Sequence, residues 1–275
     1  MLTHSLRVVV STAKVNLIMT WRFFSWTGFA LRFWGPILTL GAAWILYNQV
    51  YHGVTSVDFG QATGTSGYLS FIVIGNAFYV FVFAAAFVVG RVMFWERTSG
   101  TIEATFMTPM NRLAYMAGMM TAASINSLVD LIAVFLIGLI FGFRPTSFNA
   151  TLFFAGLVLT AFALFGIGLM ANAVTLTFRD RTNTANSLMI LFLVFSGIVC
   201  PIELMPSWAQ LISKALPLTY GIRVIRASML GIQLQDVSSD LIILTVLGII
   251  FVSLGALTLR LIERNLKKKA LFSVF

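Results

Sequence analysis

Two stretches of this chain, residues 59–90 and 145–178, contain no Asp, Glu, Lys or Arg. Nothing else in the sequence constrains the fold as strongly. About 20 apolar residues in a helix cross a hydrocarbon core of roughly 30 Å. Both stretches are longer than that, so tilt or extension beyond the bilayer is expected. The rest of the composition agrees. Charged residues make up 10% of the 275, 59% are hydrophobic, and the mean hydropathy is +0.95. A soluble domain carries about 25% charged residues. An ordinary cytosolic enzyme, a disordered protein and a nucleic-acid-binding module are therefore excluded. The length accommodates five to seven spans and no sizeable soluble domain beside them.

Six apolar segments are expected to span: 33–51, 68–90, 116–143, 150–177, 184–200 and 241–262. The fold class is thus an all-α membrane protein with one transmembrane domain over residues 1–275. Residues 1–30 form an N-terminal helix, 33–262 a six-span bundle, and 263–275 a basic tail containing the run Lys267, Lys268, Lys269. No short apolar core with a small-residue cleavage site is visible near the N-terminus, so no cleaved signal peptide is expected.

Charge sets the orientation. With the N-terminus in the cytoplasm and six alternating spans, the external side keeps only Arg144, Lys214, Arg223 and Arg226 of the 18 basic residues. The other 14 are cytoplasmic, as the excess of Lys and Arg inside requires. Both termini are expected in the cytoplasm of a multi-pass protein of the cell membrane. The net charge of +9 reads as this asymmetry, not as affinity for nucleic acid.

Residues 3–25 read as an interfacial amphipathic helix. At 100° per residue His4, Arg7, Ser11, Lys14, Arg22 and Ser25 fall within about 80°, interrupted by Ile18. Such a helix lies in the headgroup layer with its basic residues toward water and anionic lipid; a cytoplasmic extension of the first span is the alternative. Between spans five and six, residues 201–240 are apolar yet broken by prolines. They read as short re-entrant or surface-lying half-helices, at 211–216 and 221–230.

Catalytic chemistry is missing. The dipeptide Gly-Lys does not occur, so no phosphate-cradling loop of that type exists and ATP is not expected to bind by it. His4 and His52 are far apart, the single Cys200 excludes an intrachain disulfide, and no cluster has metal-ligand spacing. The intramembrane polar candidates are Asn76, Asn126 and Asp130. A carboxylate in a span is costly and marks function by default, although interhelical hydrogen bonding in the packing accounts for Asp130 equally well.

The loop after the second span contains Glu96-Arg-Thr-Ser-Gly-Thr-Ile-Glu103 and then Thr108-Pro109. Thr98 or Ser99 suits the cap of a short helix, with Glu103 in its first turn and Pro109 ending it. Here the chain resembles the type-2 ABC-transporter permeases, bacterial and archaeal exporters, whose loop reads Glu-Arg-x-x-Gly-Thr-[Leu/Ile]-Glu, then Thr-Pro. The match is at Glu96, Arg97, Gly100, Thr101, Ile102, Glu103, Thr108 and Pro109. A second match runs from Ser196-Gly197 through Pro201, Pro206 and Trp208 to Pro217-Leu-Thr-Tyr220 and Arg226. Met205 departs from it by separating Leu204 from the proline.

The resemblance implies a transport subunit and not an enzyme. Residues 96–109 would be the coupling helix to a cytoplasmic ABC ATPase present in two copies, which holds the ATP and Mg; this chain holds no cofactor. A second permease copy completes the pathway, as a homodimer or a pair of related chains. Pro201, Pro206, Trp208, Pro217, Tyr220 and Arg226 would shape the external exit. Substrates of such exporters include drugs, lipids, lipid-linked glycans and polysaccharides. An ion-coupled secondary transporter using Asp130 is the alternative; a membrane enzyme lacks a visible catalytic cluster.

Overall fold

The computed structural model describes residues 2–22, 26–50, 68–100, 107–108, 110–177, 191, 194–198, 200–231 and 234–268. Every regular element among them is helical. In chain order they are α1 (Leu2–Arg22), α2 (Trp26–Ile45, continued by a π-helical turn, Leu46–Val50), α3 (Tyr68–Thr98), α4 (Arg112–Ile140), α5 (Ala150–Thr177), a 3-10 turn (Ile202–Leu204), α6 (Ser207–Ala215), α7 (Pro217–Leu230) and α8 (Leu234–Lys268). The helices follow the apolar runs; local chemistry sets several ends. Asn111 caps α4 by accepting hydrogen bonds from the amides of Leu113 and Ala114. Pro217 opens α7 where no amide is needed, and Gly231, at φ 79°, closes it.

Four of these helices are long and apolar enough to cross a membrane: α3 over Tyr68–Gly90, α4 over Arg112–Ile140, α5 over Ala150–Ala173 and α8 over Val237–Ile262. Six spans were expected. The first, 33–51, overlaps α2, which begins earlier, at Trp26. Most of the fifth, 184–200, lies outside the described residues. The last helix continues through Lys268, so the start of the expected tail is helical.

Opposed residues give the helix directions. Tyr115 meets Glu96 and Gly138 meets Val73, so α3 and α4 run antiparallel in one unbroken register. Asn172 donates to the Val89 carbonyl at 2.7 Å, and about three turns earlier on both helices Thr160 and Phe78 lie against the same Gly221, so α5 runs parallel to α3. We call the end near Thr98 and Arg112 the lower end, and the end near Tyr68 and Ala150 the upper end. The core forms around α3, with Ile74, Phe78, Val82, Ala85 and Val89 buried against α4 and α5.

α8 follows α5 closely because glycines remove the intervening side chains. A Cβ on Gly166 would stand 2.3 Å from the backbone of Phe251 and Val252, and one on Gly255 2.5 Å from the Gly166 carbonyl oxygen. Small residues at such contacts are how helices pack where lipid supplies no hydrophobic drive. The outward side of α8 is a continuous apolar surface that includes Ile242, Val246, Ile249 and Leu257. A soluble protein rarely leaves so large a patch exposed; here lipid is its solvent, and the chain is a multi-pass membrane protein.

α1 is no isolated arm. Val9 and Thr12 seat against Gly118, and Asn126 donates to the Thr20 hydroxyl at 3.5 Å, so α1 runs parallel to the first half of α4. Its seated stripe (Val9, Thr12, Ala13, Asn16, Thr20) lies opposite the arc of His4, Arg7, Ser11, Lys14 and Arg22, which stays exposed. Leu6, Val10, Ile18, Met19 and Trp21 remain exposed as apolar flanks.

Candidate functional sites at the two ends of the bundle

At the lower end α3 extends about two turns beyond its apolar stretch, carrying Glu96 and Arg97 on its last turn. Glu96 therefore belongs to the long helix and not to a separate short one. Its carboxylate accepts a hydrogen bond from the Tyr115 hydroxyl on α4, which braces the two ends of the loop between spans. Thr98 and Ser99 were expected to cap a following helix. Instead the Thr98 hydroxyl donates to the Trp95 carbonyl at 3.1 Å and the Ser99 amide donates to the same oxygen at 2.9 Å, closing α3. Gly100 then turns the chain with φ 69°, in the left-handed region that favours glycine. Thr108 is exposed. Thr101, Ile102, Glu103, Pro109 and the Arg97 side chain lie outside the described residues.

At the upper end the proline-broken segment forms a compact helical hairpin. Pro201 is buried and leads into the 3-10 turn; Pro206 and Trp208 are exposed at the start of α6. Ser213, buried on α6, donates to the Phe195 carbonyl at 2.5 Å, and its own carbonyl accepts from Thr219 at 2.7 Å. The Tyr220 hydroxyl donates to the Lys214 carbonyl at 2.9 Å. The last two satisfy carbonyls that the break at Pro217 leaves open, as Gln210 does for the Met205 carbonyl at the break before Pro206.

α7 is buried on almost every side. It packs against α5 and α8 and reaches α3, where a Cβ on Gly221 would lie 2.4 Å from the Thr160 hydroxyl and 2.9 Å from Phe78. Gly156 faces Val224 one turn away, so α7 runs antiparallel to α5. That register puts Pro217 deep in the bundle, near the level of Val82 on α3, and the end of α7 at the upper rim. There the amides of Ser147 and Asn149 donate to the carbonyls of Met229 and Ser228.

Arg226 fastens this hairpin to α3. Its guanidinium donates to the carbonyls of Gly197 and Ile198 at 3.0 and 3.2 Å and stacks over the Phe71 ring at 3.6 Å. The Ile198 carbonyl is so close to Gly75 that a Cβ there would approach it to 2.5 Å. Three residues earlier, Arg223 pairs with Glu203 at 3.3 Å and lies 3.9 Å from Asp240. Those side chains stay partly exposed. Arg226 is the fixed anchor and Arg223 a peripheral ion pair.

The intramembrane polar candidates do not converge. Asn76 donates to the Thr39 hydroxyl at 2.9 Å, tying α2 to α3. Asn126 reaches α1 through Thr20, and Asp130 stands one turn further along α4, partly buried. No group of three or more His, Cys, Asp or Glu residues among the described residues is placed to hold a metal ion. Sequence reasoning missed Tyr115, the Asn172–Val89 bond and the glycine contacts of α5. A hydroxyl one turn into an apolar helix, three residues after Arg112, was the available signal for Tyr115.

The family model described as "ABC-2 type transporter" matches residues 14–230, a range that takes in both ends just described. A curated relative, "Putative transport permease ycf38" of Porphyra purpurea, is 28% identical over 148 residues. The aligned stretch covers 52% of this chain and 50% of that relative.

Proposed function

Because the chain belongs to the ABC-2 type transporter family, as a membrane transport subunit, we propose that it is the permease of an exporter driven by a separate cytoplasmic ATPase. Two copies of the permease, or two related chains, form the pathway in the cell membrane, and two ATPase subunits dock beneath them. The substrate is an amphiphilic or hydrophobic molecule such as a drug, a lipid or a lipid-linked glycan. Both termini are cytoplasmic, and residues 96–109 make the contact that carries motion from the ATPase to α3 and α4.

The observation that carries this reading is the Glu96–Tyr115 brace. It makes the two helix ends flanking the matched loop one mechanical unit, on the side to which the basic residues assign the cytoplasm. A partner that moved the loop would move α3 and α4 together. The alternative, an ion-coupled secondary transporter, would act through Asp130, one turn from Asn126 on α4.

The test is reconstitution. Rigorously pure permease in proteoliposomes should not hydrolyse ATP, and hydrolysis should appear on adding the cognate ATPase. Glu103→Lys should insert and dimerise normally but bind the ATPase weakly, or bind it without transport. ATP hydrolysis by the pure chain, or unchanged docking and transport in Glu103→Lys, would contradict the reading.

A further inference from the structure

α7 fixes the depth of the upper hairpin. Gly221 seats against Phe78 and Thr160, and Gly248 of α8 seats against Phe162 and Ala163. Phe78, Thr160 and Gly248 each lie within two residues of the middle of their own apolar stretches, Tyr68–Gly90, Ala150–Ala173 and Val237–Ile262. Gly221 is therefore near the bilayer midplane, and Pro217, four residues earlier, is about 6 Å lower. The Thr219 hydroxyl donates to the Ser213 carbonyl at 2.7 Å and the Tyr220 hydroxyl to the Lys214 carbonyl at 2.9 Å. These bonds place Ser213 and Lys214 beside the first turn of α7, near the midplane.

Lys214 is exposed at that depth. A lysine side chain extends about 6 Å, well short of the roughly 15 Å from the midplane to either interface. Hydrocarbon is a costly surrounding for its charge. Ionisable groups at such depth face the bundle interior or a water-filled cavity.

Further charges are open on the same side. Arg223 follows Thr219 by one turn, on the face of α7 that meets α6, and is only about 3 Å above Gly221. It pairs with Glu203 at 3.3 Å, both side chains nearly half exposed, and lies 3.9 Å from Asp240. Asp240 precedes Gly248 by eight residues, about 12 Å higher, and Ser238 and Ser239 above it are exposed. These residues mark a polar track from the middle of the bundle to its upper rim. Arg223 has acidic partners; the Lys214 ammonium has none among the described residues. Leu211, one turn before Lys214 on α6, is exposed on the same stripe.

We propose that this side of the hairpin lines a water-filled vestibule open to the upper side, and that Lys214 at its floor receives the anionic group of an exported amphiphile. Leu211 meets the apolar part of the same molecule. Lys214 is not among the motif residues that carry the family resemblance. The proposal deepens the exporter reading and rests on it for the nature of the cargo.

The experiment is thiol labelling of the full-length chain in membranes, with Cys200 replaced and a single cysteine at Leu211. Leu211→Cys should react with membrane-impermeant methanethiosulfonates, from the same side as Ser238→Cys. The anionic ethylsulfonate should be favoured over the cationic ethyltrimethylammonium, relative to their rates with a free thiol. Adding Lys214→Gln should lower that preference about five-fold, the effect in bulk water of one charge about 8 Å away on reagents of opposite sign; Lys214→Arg should keep it. Dodecyl phosphate below its micellar concentration should slow the labelling more than dodecyltrimethylammonium does. No reaction of Leu211→Cys from the side that labels Ser238→Cys would overturn the proposal, whether lipid or a second copy covers the face. So would an unchanged preference in Lys214→Gln, or equal protection by the two amphiphiles. The labelling needs no ATPase, so failure of the exporter reading leaves these rates unmoved and the two failures are distinct.

Discussion

The two ends of the bundle are built in opposite ways. At the upper end the half-helix α7 is buried on nearly all sides, glycines bring it against α5 and α3, and Arg226 bonds two carbonyls of the preceding turn. At the lower end the loop leaves the bundle at an exposed left-handed glycine. It returns at an exposed asparagine cap, and Tyr115 and Glu96 bridge the two helix ends. Many mutually dependent contacts make the upper end a single packed body, costly to disturb and poor at moving in parts. At the lower end the Tyr115–Glu96 bond holds two protruding helix ends together. A region that must meet a separate subunit is expected to be of the second kind.

Substitutions should reproduce that contrast. The largest effect is expected from Arg226→Met, which removes two hydrogen bonds donated by a charged group, each worth about 1.5–3 kcal/mol. The midpoint of thermal unfolding of the purified chain should fall by more than for any change at the lower end. A midpoint within error of wild type would show that the upper end is not organised around this anchor. Gly221→Val comes next. The added carbons must displace Thr160 and Phe78, an overpacking cost of about 1–3 kcal/mol, read in the same assay. An unshifted midpoint would mean that α7 slides freely, and the contrast between the ends would collapse.

At the lower end Tyr115→Phe removes one hydrogen bond, worth about 1 kcal/mol in stability. Its signature should instead be local, with faster amide exchange over residues 99–111 and little change in the midpoint. If exchange there is unchanged, the bond does not brace the loop. The smallest effect is expected from Arg223→Gln. Its ion pairs are partly exposed, and such pairs contribute about 0–1 kcal/mol. Set beside Arg226, three residues away on the same helix, it isolates burial as the cause; equal losses at the two positions would break that argument.

Some of this was legible in the sequence. Uncharged runs placed α3 and α5, because lipid excludes charge from any exposed part of a span. Prolines 201 and 206 marked the broken segment, since proline disfavours a continuous helix, but its helices begin at Ser207 and Pro217 and not at 211 and 221 as expected. That α7 penetrates the bundle was not legible. Its burial depends on Gly156 and Gly221 meeting residues of other helices, and a single sequence carries no pairing information. Likewise Thr98 and Ser99 read equally well as the start of one helix or the end of another, and only the bonds back to Trp95 decide it. The amphipathic arc of α1 was visible, but not that its opposite stripe is seated along α4, because small residues such as Thr12 and Ala13 give no hydrophobic signal.

On the function proposed above, the lower loop docks a separate ATPase and the upper hairpin faces away from it. The direct measurement is cross-linking in membranes, with Cys200 replaced and a single cysteine introduced at Ser99 or at Ser238 near the start of α8. With a photoactivatable thiol reagent, Ser99→Cys should cross-link to the ATPase subunit in a nucleotide-dependent yield, and Ser238→Cys should react only with reagents added from outside. Cross-linking of the ATPase from Ser238→Cys, or labelling of Ser99→Cys from outside, would contradict the account.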